Sequence, residues 1–208
     1  LEKDGFWLGA GNIYTKGKER HLPLYEGKMV QIYDHRAAGV VVNPENIHRP
    51  AQPRQTTEEE HKAPNYSPMP QFWVSEEDTK GCFKSRIPKY LIAFKDVTAP
   101  TNERSMIPSA VPFSAVGNNL PLILREAGED LFSAGLLANL SSFALDFVAR
   151  QKIGGQPLNF FIVQQLPILP PDTYENEFGG LKIKEFIRPR ILELVYTAHD
   201  IKGFAEEL

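Results

Sequence analysis

Apolar and polar side chains alternate through much of the first two thirds of the chain, whereas apolar positions three and four apart dominate the last third. The run KMVQIY (28–33) alternates around Val30 and Ile32, and 39–42 is a mostly β-branched run closed by Asn43-Pro44, so residues 1–42 are predicted to form short strands and turns. QFWV (71–74) and above all YLIAFKDV (90–97) read as further strands. SMIPSAVPFSAV (105–116) is strand-like but carries Pro108 and Pro112, which suits an edge strand better than a central one. Between Asp130 and Arg150 the run LFSAGLLANLSSFALDFVA is apolar except for the stripe Gly135, Asn139, Ser142 and Asp146. It predicts one helix over 130–150 buried in protein rather than in a bilayer. LNFFIVQQLPIL (158–169) is a second hydrophobic run, and Ile183, Ile187, Ile191, Val195 and Ala198 form the apolar face of a helical tail that Pro189 should kink or restart.

Strands first and helices last, without a regular βαβ alternation, predict an α+β fold. The expected architecture is a twisted, mostly antiparallel sheet with a buried helix behind it, followed by a C-terminal helical spacer. Residues 1–171 would be one domain and 172–208 a helical spacer or docking tail. Within the first, residues 44–70 concentrate six prolines around TTEEEHK with few aliphatic side chains, and predict a long surface loop.

Composition narrows the chemistry. With 208 residues, 42% hydrophobic and 24% charged, the chain is long enough to bury a core and is not a disordered or disulfide-dense sequence. Cys82 is the single cysteine, so a thiolate metal cluster is excluded and a reducing cytoplasm is the simplest expectation. The net charge is −3, but residues 1–171 balance, so any cationic surface must be local. The opening LEKDGFWLGAG lacks a basic segment followed by an apolar one, and together with the closing AHDIKGFAEEL it reads as a piece cut from a longer polypeptide.

A self-contained active site is not legible. Gly9-Ala10-Gly11-Asn12 and Val40-Val41-Val42-Asn43-Pro44 imitate the methyl-donor turn and amine-gripping loop of a methyltransferase, but Asn43-Pro44 is followed by Glu45-Asn46 instead of a second proline and an aromatic. The histidines are scattered, and no Gly-x-Ser-x-Gly turn is present. What remains are three polar clusters: Asp34-His35-Arg36; Thr101-Asn102-Glu103-Arg104-Ser105; and Arg150-Gln151-Lys152 before Gly154-Gly155. Arginine and lysine meet guanine edges and phosphates, asparagine and glutamine pair with adenine, and glycines admit a close phosphate. Taken singly, each cluster also fits a loop or cap.

The order of three blocks, FKDVTAPTNERSMIPSAVPFSAVGNNLPLIL, LLANLSSFALDFVARQKIGGQPLNFFIVQQLPILPP and FIRPRILELVYTAHDIKGFAEEL, resembles the target-recognition region of large bacterial adenine-N6 DNA methyltransferases. That group includes fused type II restriction-modification enzymes and phage-defence methyltransferases. The upstream LPLYEGKMVQIYDHRAAG and QFWVSEED resemble it too, so the likeness runs over about residues 22–204. It implies a specificity domain that selects a sequence in double-stranded DNA for a catalytic domain of the same polypeptide. That catalytic domain would hold S-adenosylmethionine, with or without a nuclease elsewhere in the parent; this fragment would be catalytically silent and need no cofactor, metal or membrane. By the resemblance, Asn102, Glu103 and Arg104 fall on the family's Thr-Asn-Glu-Arg block, and Arg150, Gln151, Lys152 and Gly155 on its Arg-Gln-Lys-x-Gly-Gly block. Arg36 joins them as a basic candidate, and Glu103 is expected to orient Arg104 through an ion pair. The competing expectation is a protein-interaction module whose tail docks a partner subunit.

Overall fold

In the computed structural model, which describes residues 1–43, 45, 51–83, 86–124, 132–154 and 157–208, the fold is α+β. The N-terminal half is organised around one long strand. β1 (Trp7–Leu8) and β2 (Tyr14–Lys16) lead into β3 (Glu19–Tyr25), which turns back on β2 through Gly17-Lys18, with Gly17 in the left-handed region at φ +60°. The run KMVQIY forms no strand. It begins within a 3-10 turn (Gly27–Met29), and Met29 and Val30 are both fully buried, which strict alternation forbids.

Residues 44–70 carry more structure than a loop in their described part. β4 (Ala38–Val41) pairs antiparallel with β5 (Gln52–Gln55), and the charged run becomes α1 (Glu58–Lys62). Thr57 Oγ1 accepts the Glu60 N–H while the Glu60 carboxylate accepts the Thr57 N–H, a reciprocal cap, and the acidic residues come first and the basic ones last, matching the helix dipole. β6 (Trp73–Ser75) joins β3, and Ser75 caps α2 (Glu76–Gly81).

β7 (Tyr90–Phe94) is buried at every residue because it separates two cores. Tyr90, Ile92 and Phe94 face one core; Leu91 and Ala93 face the other, with Tyr25, Met29, Val30 and Leu120. β8 (Pro108–Pro112) is the edge of that sheet, with its prolines at the two ends, as expected of residues that cannot donate to a ladder. β9 (Ala115–Val116) runs parallel to β3, and β10 (Leu122–Ile123) pairs with the free side of β7. The expected single sheet is thus divided into smaller ones, mostly antiparallel.

The predicted helix over 130–150 is two helices in its described part. α3 (Ser133–Leu140) ends at Ser141, and Ser142 accepts the Leu145 N–H to start α4 (Phe143–Lys152). The break lets α4 turn Leu145, Asp146 and Ala149 inward while Phe143 and Phe147 stay in solvent. In α3, Gly135 allows the Tyr174 ring to approach so closely that a Cβ would lie 2.8 Å from it.

After α5 (Phe160–Val163), the hairpin of β11 (Glu177–Phe178) and β12 (Leu181–Lys182) precedes α6 (Ile183–Val195) and α7 (Lys202–Ala205). α6 runs through Pro189 without ending. Its predicted face points inward, and Ile191, Val195, Ile201 and Phe204 join the core that contains Tyr90 and Leu137. Residues from this C-terminal segment are therefore packed into the same core as the preceding chain. Among the described residues no helix is long and apolar enough to cross a membrane.

Candidate nucleic-acid interface

Two of the polar clusters, some 47 residues apart in sequence, meet around Asp146. Its place on the inner face of α4 buries the carboxylate, which must then find donors. Oδ1 accepts the backbone N–H groups of Ser105 and Met106, both at 2.7 Å, and Oδ2 accepts from Arg150 at 3.2 Å. Arg104 Nε stands 3.5 Å from Oδ1. Burial pushes the Asp146 carboxyl up, but the two N–H groups and the two guanidinium groups outweigh it and hold the acid below its ordinary value.

The arginines stitch loop and helix in opposite directions. From α4, Arg150 donates to the carbonyls of Pro100 (2.5 Å) and Glu103 (2.9 Å) in the 98–105 loop. From the loop, Arg104 donates to the carbonyl of Ser141 (2.5 Å), an acceptor that the end of α3 leaves over, and to that of Ser142 (3.3 Å), which also accepts the Asp146 N–H of α4. Its guanidinium also stacks on the Phe143 ring, 4.6 Å from the centroid. The carboxylate partner of Arg104 is thus Asp146, not the expected Glu103, whose main-chain carbonyl serves Arg150 instead.

On the outer side of this seam lie the groups left for a ligand. Asn102 is exposed at the loop tip, with a 3.4 Å contact from Nδ2 to Thr98 Oγ1. Gln151 and Lys152 are exposed at the end of α4, and Lys152 donates to Gln165 Oε1 at 3.2 Å, a neutral partner that leaves its charge available. Phe143, Phe147 and Phe161 are exposed on α4 and α5. Reading the sequence missed this aromatic border, and it saw in Asp146 a mark of burial but not the centre of the site. The signal available for both was the Ser141-Ser142 pair, a helix start that rotates the following residues.

Arg36 is elsewhere and cannot serve a DNA surface. It is fully buried, and its guanidinium donates to the carbonyls of His61, Ala63, Tyr66 and Thr197. Gly155 lies outside the described residues.

Beside Arg36 runs a second buried network. His35 Nε2 lies 2.8 Å from Asp200 Oδ1, and Ser67 donates to Oδ2 of the same carboxylate at 3.3 Å. Burial raises the Asp200 acid, while the His35 contact, Ser67 and the Arg36 charge bring it below its ordinary value. Serine, histidine and aspartate are all present, but the serine bonds to the carboxylate and not to the imidazole, so the arrangement does not supply a nucleophile with its base. Asp200 opens on a cleft of about 500 Å³ that Arg20, Lys89, Asn65 and His199 also line. Among the described residues no group of three or more His, Cys, Asp or Glu side chains is placed to hold a metal ion.

No known protein family, no curated protein and no solved structure matches the chain.

Proposed function

We propose that this chain is a DNA target-recognition module whose contact surface is the seam between the 98–105 loop and α4. One observation carries the reading: two sequence blocks far apart in the chain, both nominated for DNA contact, are bolted to each other by reciprocal arginine bonds, with Asn102, Gln151 and Lys152 left facing solvent. Asn102 and Gln151 are the candidate base readers, Lys152 the phosphate contact, and Arg104 and Arg150 positioning residues that hold the readers in register. The module would serve, in a bacterial cytoplasm, an adenine-N6 methyltransferase domain carrying S-adenosylmethionine outside these 208 residues, and would not itself transfer a methyl group.

A second reading has its own support. Phe143, Phe147 and Phe161 are large exposed rings, and exposed apolar groups also mark protein-docking surfaces. Titration of the 208-residue chain with duplex libraries separates the two. DNA recognition predicts affinity that falls linearly with log salt and an enriched sequence that survives random competitor DNA; salt-insensitive behaviour with no enrichment supports the partner dock instead.

A further inference from the structure

The outward stripe of α4 is Phe143, Phe147 and Gln151, at i, i+4 and i+8, opposite the inward Leu145, Asp146 and Ala149. The two rings are 81% and 64% exposed, the first of them stacked against Arg104, so that apolar groups are displayed on a positioned surface. Around the seam and its outer side the cations Arg104, Arg150 and Lys152 outnumber the carboxylates of Asp146 and Glu103 by one, and Lys152, bonded to a neutral amide, is the exposed one of the three. A positive border suits a polyanion. α4 is ten residues long, about 15 Å, and a major groove about 12 Å wide admits such a helix. Successive stripe residues are about 6 Å apart along the axis, near two base-pair steps of about 3.4 Å.

Within that groove the one apolar group on a base edge is the 5-methyl of thymine, and glutamine has a bidentate match in adenine. From this we infer that α4 reads A·T pairs, with Phe143 and Phe147 packed on thymine methyls and Gln151 bonded to adenine. The inference rests on the DNA-recognition reading and adds to it the class of base pair and two residues that determine it.

Uracil supplies the test because it lacks only the methyl. Binding of the 208-residue chain is measured on a short duplex of alternating A and T and on the same duplex with every thymine replaced by uracil. The thymine duplex binds tighter by about fourfold for each contacted methyl. Phe143→Ala and Phe147→Ala each shrink that ratio, and Phe147→Leu, which keeps apolar contact, preserves most of it. Matching thermal unfolding curves show that the variants are folded. Equal binding of both duplexes by the wild type, or a ratio that both alanine variants leave intact, overturns the inference. Binding to mixed-sequence DNA but to neither A·T duplex also overturns it and leaves the recognition reading standing. No binding to any duplex overturns both, and leaves the exposed rings to a protein partner.

Discussion

Arg36 and Arg150 each sit in a short polar cluster and each spend their guanidinium on backbone carbonyls, yet they end in opposite settings. Around Arg36 the chain closes on every side: the 61–66 segment accepts from both terminal nitrogens, Thr197 from the one that also serves His61, and Asp200 lies near enough for its acid to feel the charge. Around Arg150 it closes on one side only. The carbonyls of Pro100 and Glu103 and the Asp146 carboxylate fill the inner face, while the next two residues, Gln151 and Lys152, are in solvent. The difference teaches that a cluster of DNA-type residues signals an interface only where the fold leaves donors unspent. Arg36 is a tie between the tail and the N-terminal half, and the Asp146 seam is a mount.

The largest expected effect breaks the closed cluster. Arg36→Met fills most of the volume but leaves the carbonyls of His61 and Thr197 without their donor in a buried site, so unfolding stability should fall by about 3–5 kcal/mol. Urea denaturation reads this directly. A loss below about 1 kcal/mol would mean that these carbonyls find other donors and that the comparison between a tie and a mount is false.

Asp146 comes next. Asp146→Ala strands the Ser105 and Met106 N–H groups and leaves two guanidinium groups facing each other, with an expected loss of about 2–4 kcal/mol; Asp146→Asn, which keeps one acceptor, should lose less. The pH dependence follows from the lowered acid. Because the folded chain holds Asp146 below the ordinary 3.8, its ionised form contributes stability above that value and the contribution is lost as pH falls from there toward the lowered folded value. Asp200 acts in the same direction, so acid unfolding should become shallower in Asp146→Asn and shallower again when Asp200→Asn is added. If Asp146→Asn leaves the acid limb unchanged, the seam is not held by its charge.

Much of this frame was visible in the sequence where one physical demand dominated. YLIAF is apolar but for the Tyr90 hydroxyl and reads as a strand; Pro108 and Pro112 could end an edge strand but not sit inside a central one; the spacing from Ile183 to Val195 marks the face that α6 turns toward the core. Legibility failed where two demands competed. KMVQIY alternates, but Met29 and Val30 both answer to burial, and a 3-10 turn satisfies both. The apolar run over 130–150 concealed a helix start because Ser142 looked like part of a polar stripe. Arg36 is a basic candidate by residue type, and the carbonyls that bury it come from residues 25 to 161 positions away. Of the nominated site, the loop and the α4 end were found as separate blocks, but their meeting at Asp146 is a property of packing that no local pattern carries.

The smallest expected effect in stability is the sharpest for function. Lys152 is exposed, its bond is to a neutral amide, and nothing in the core depends on it, so Lys152→Ala should leave the urea midpoint within about 0.5 kcal/mol of wild type. Its DNA effect should be a uniform one: weaker binding to every duplex, and a log-affinity against log-salt slope shallower by about one, because one fewer counterion is released. Gln151→Ala is the matched control from the adjacent position, expected to lower affinity on the enriched sequence by about 1–3 kcal/mol and to leave the salt slope alone. The two variants therefore divide the open side of the seam into a part that holds phosphate and a part that reads bases. Equal salt slopes and equal sequence preferences in wild type, Lys152→Ala and Gln151→Ala would place the DNA contact elsewhere and reduce the Asp146 seam to the same structural role as Arg36.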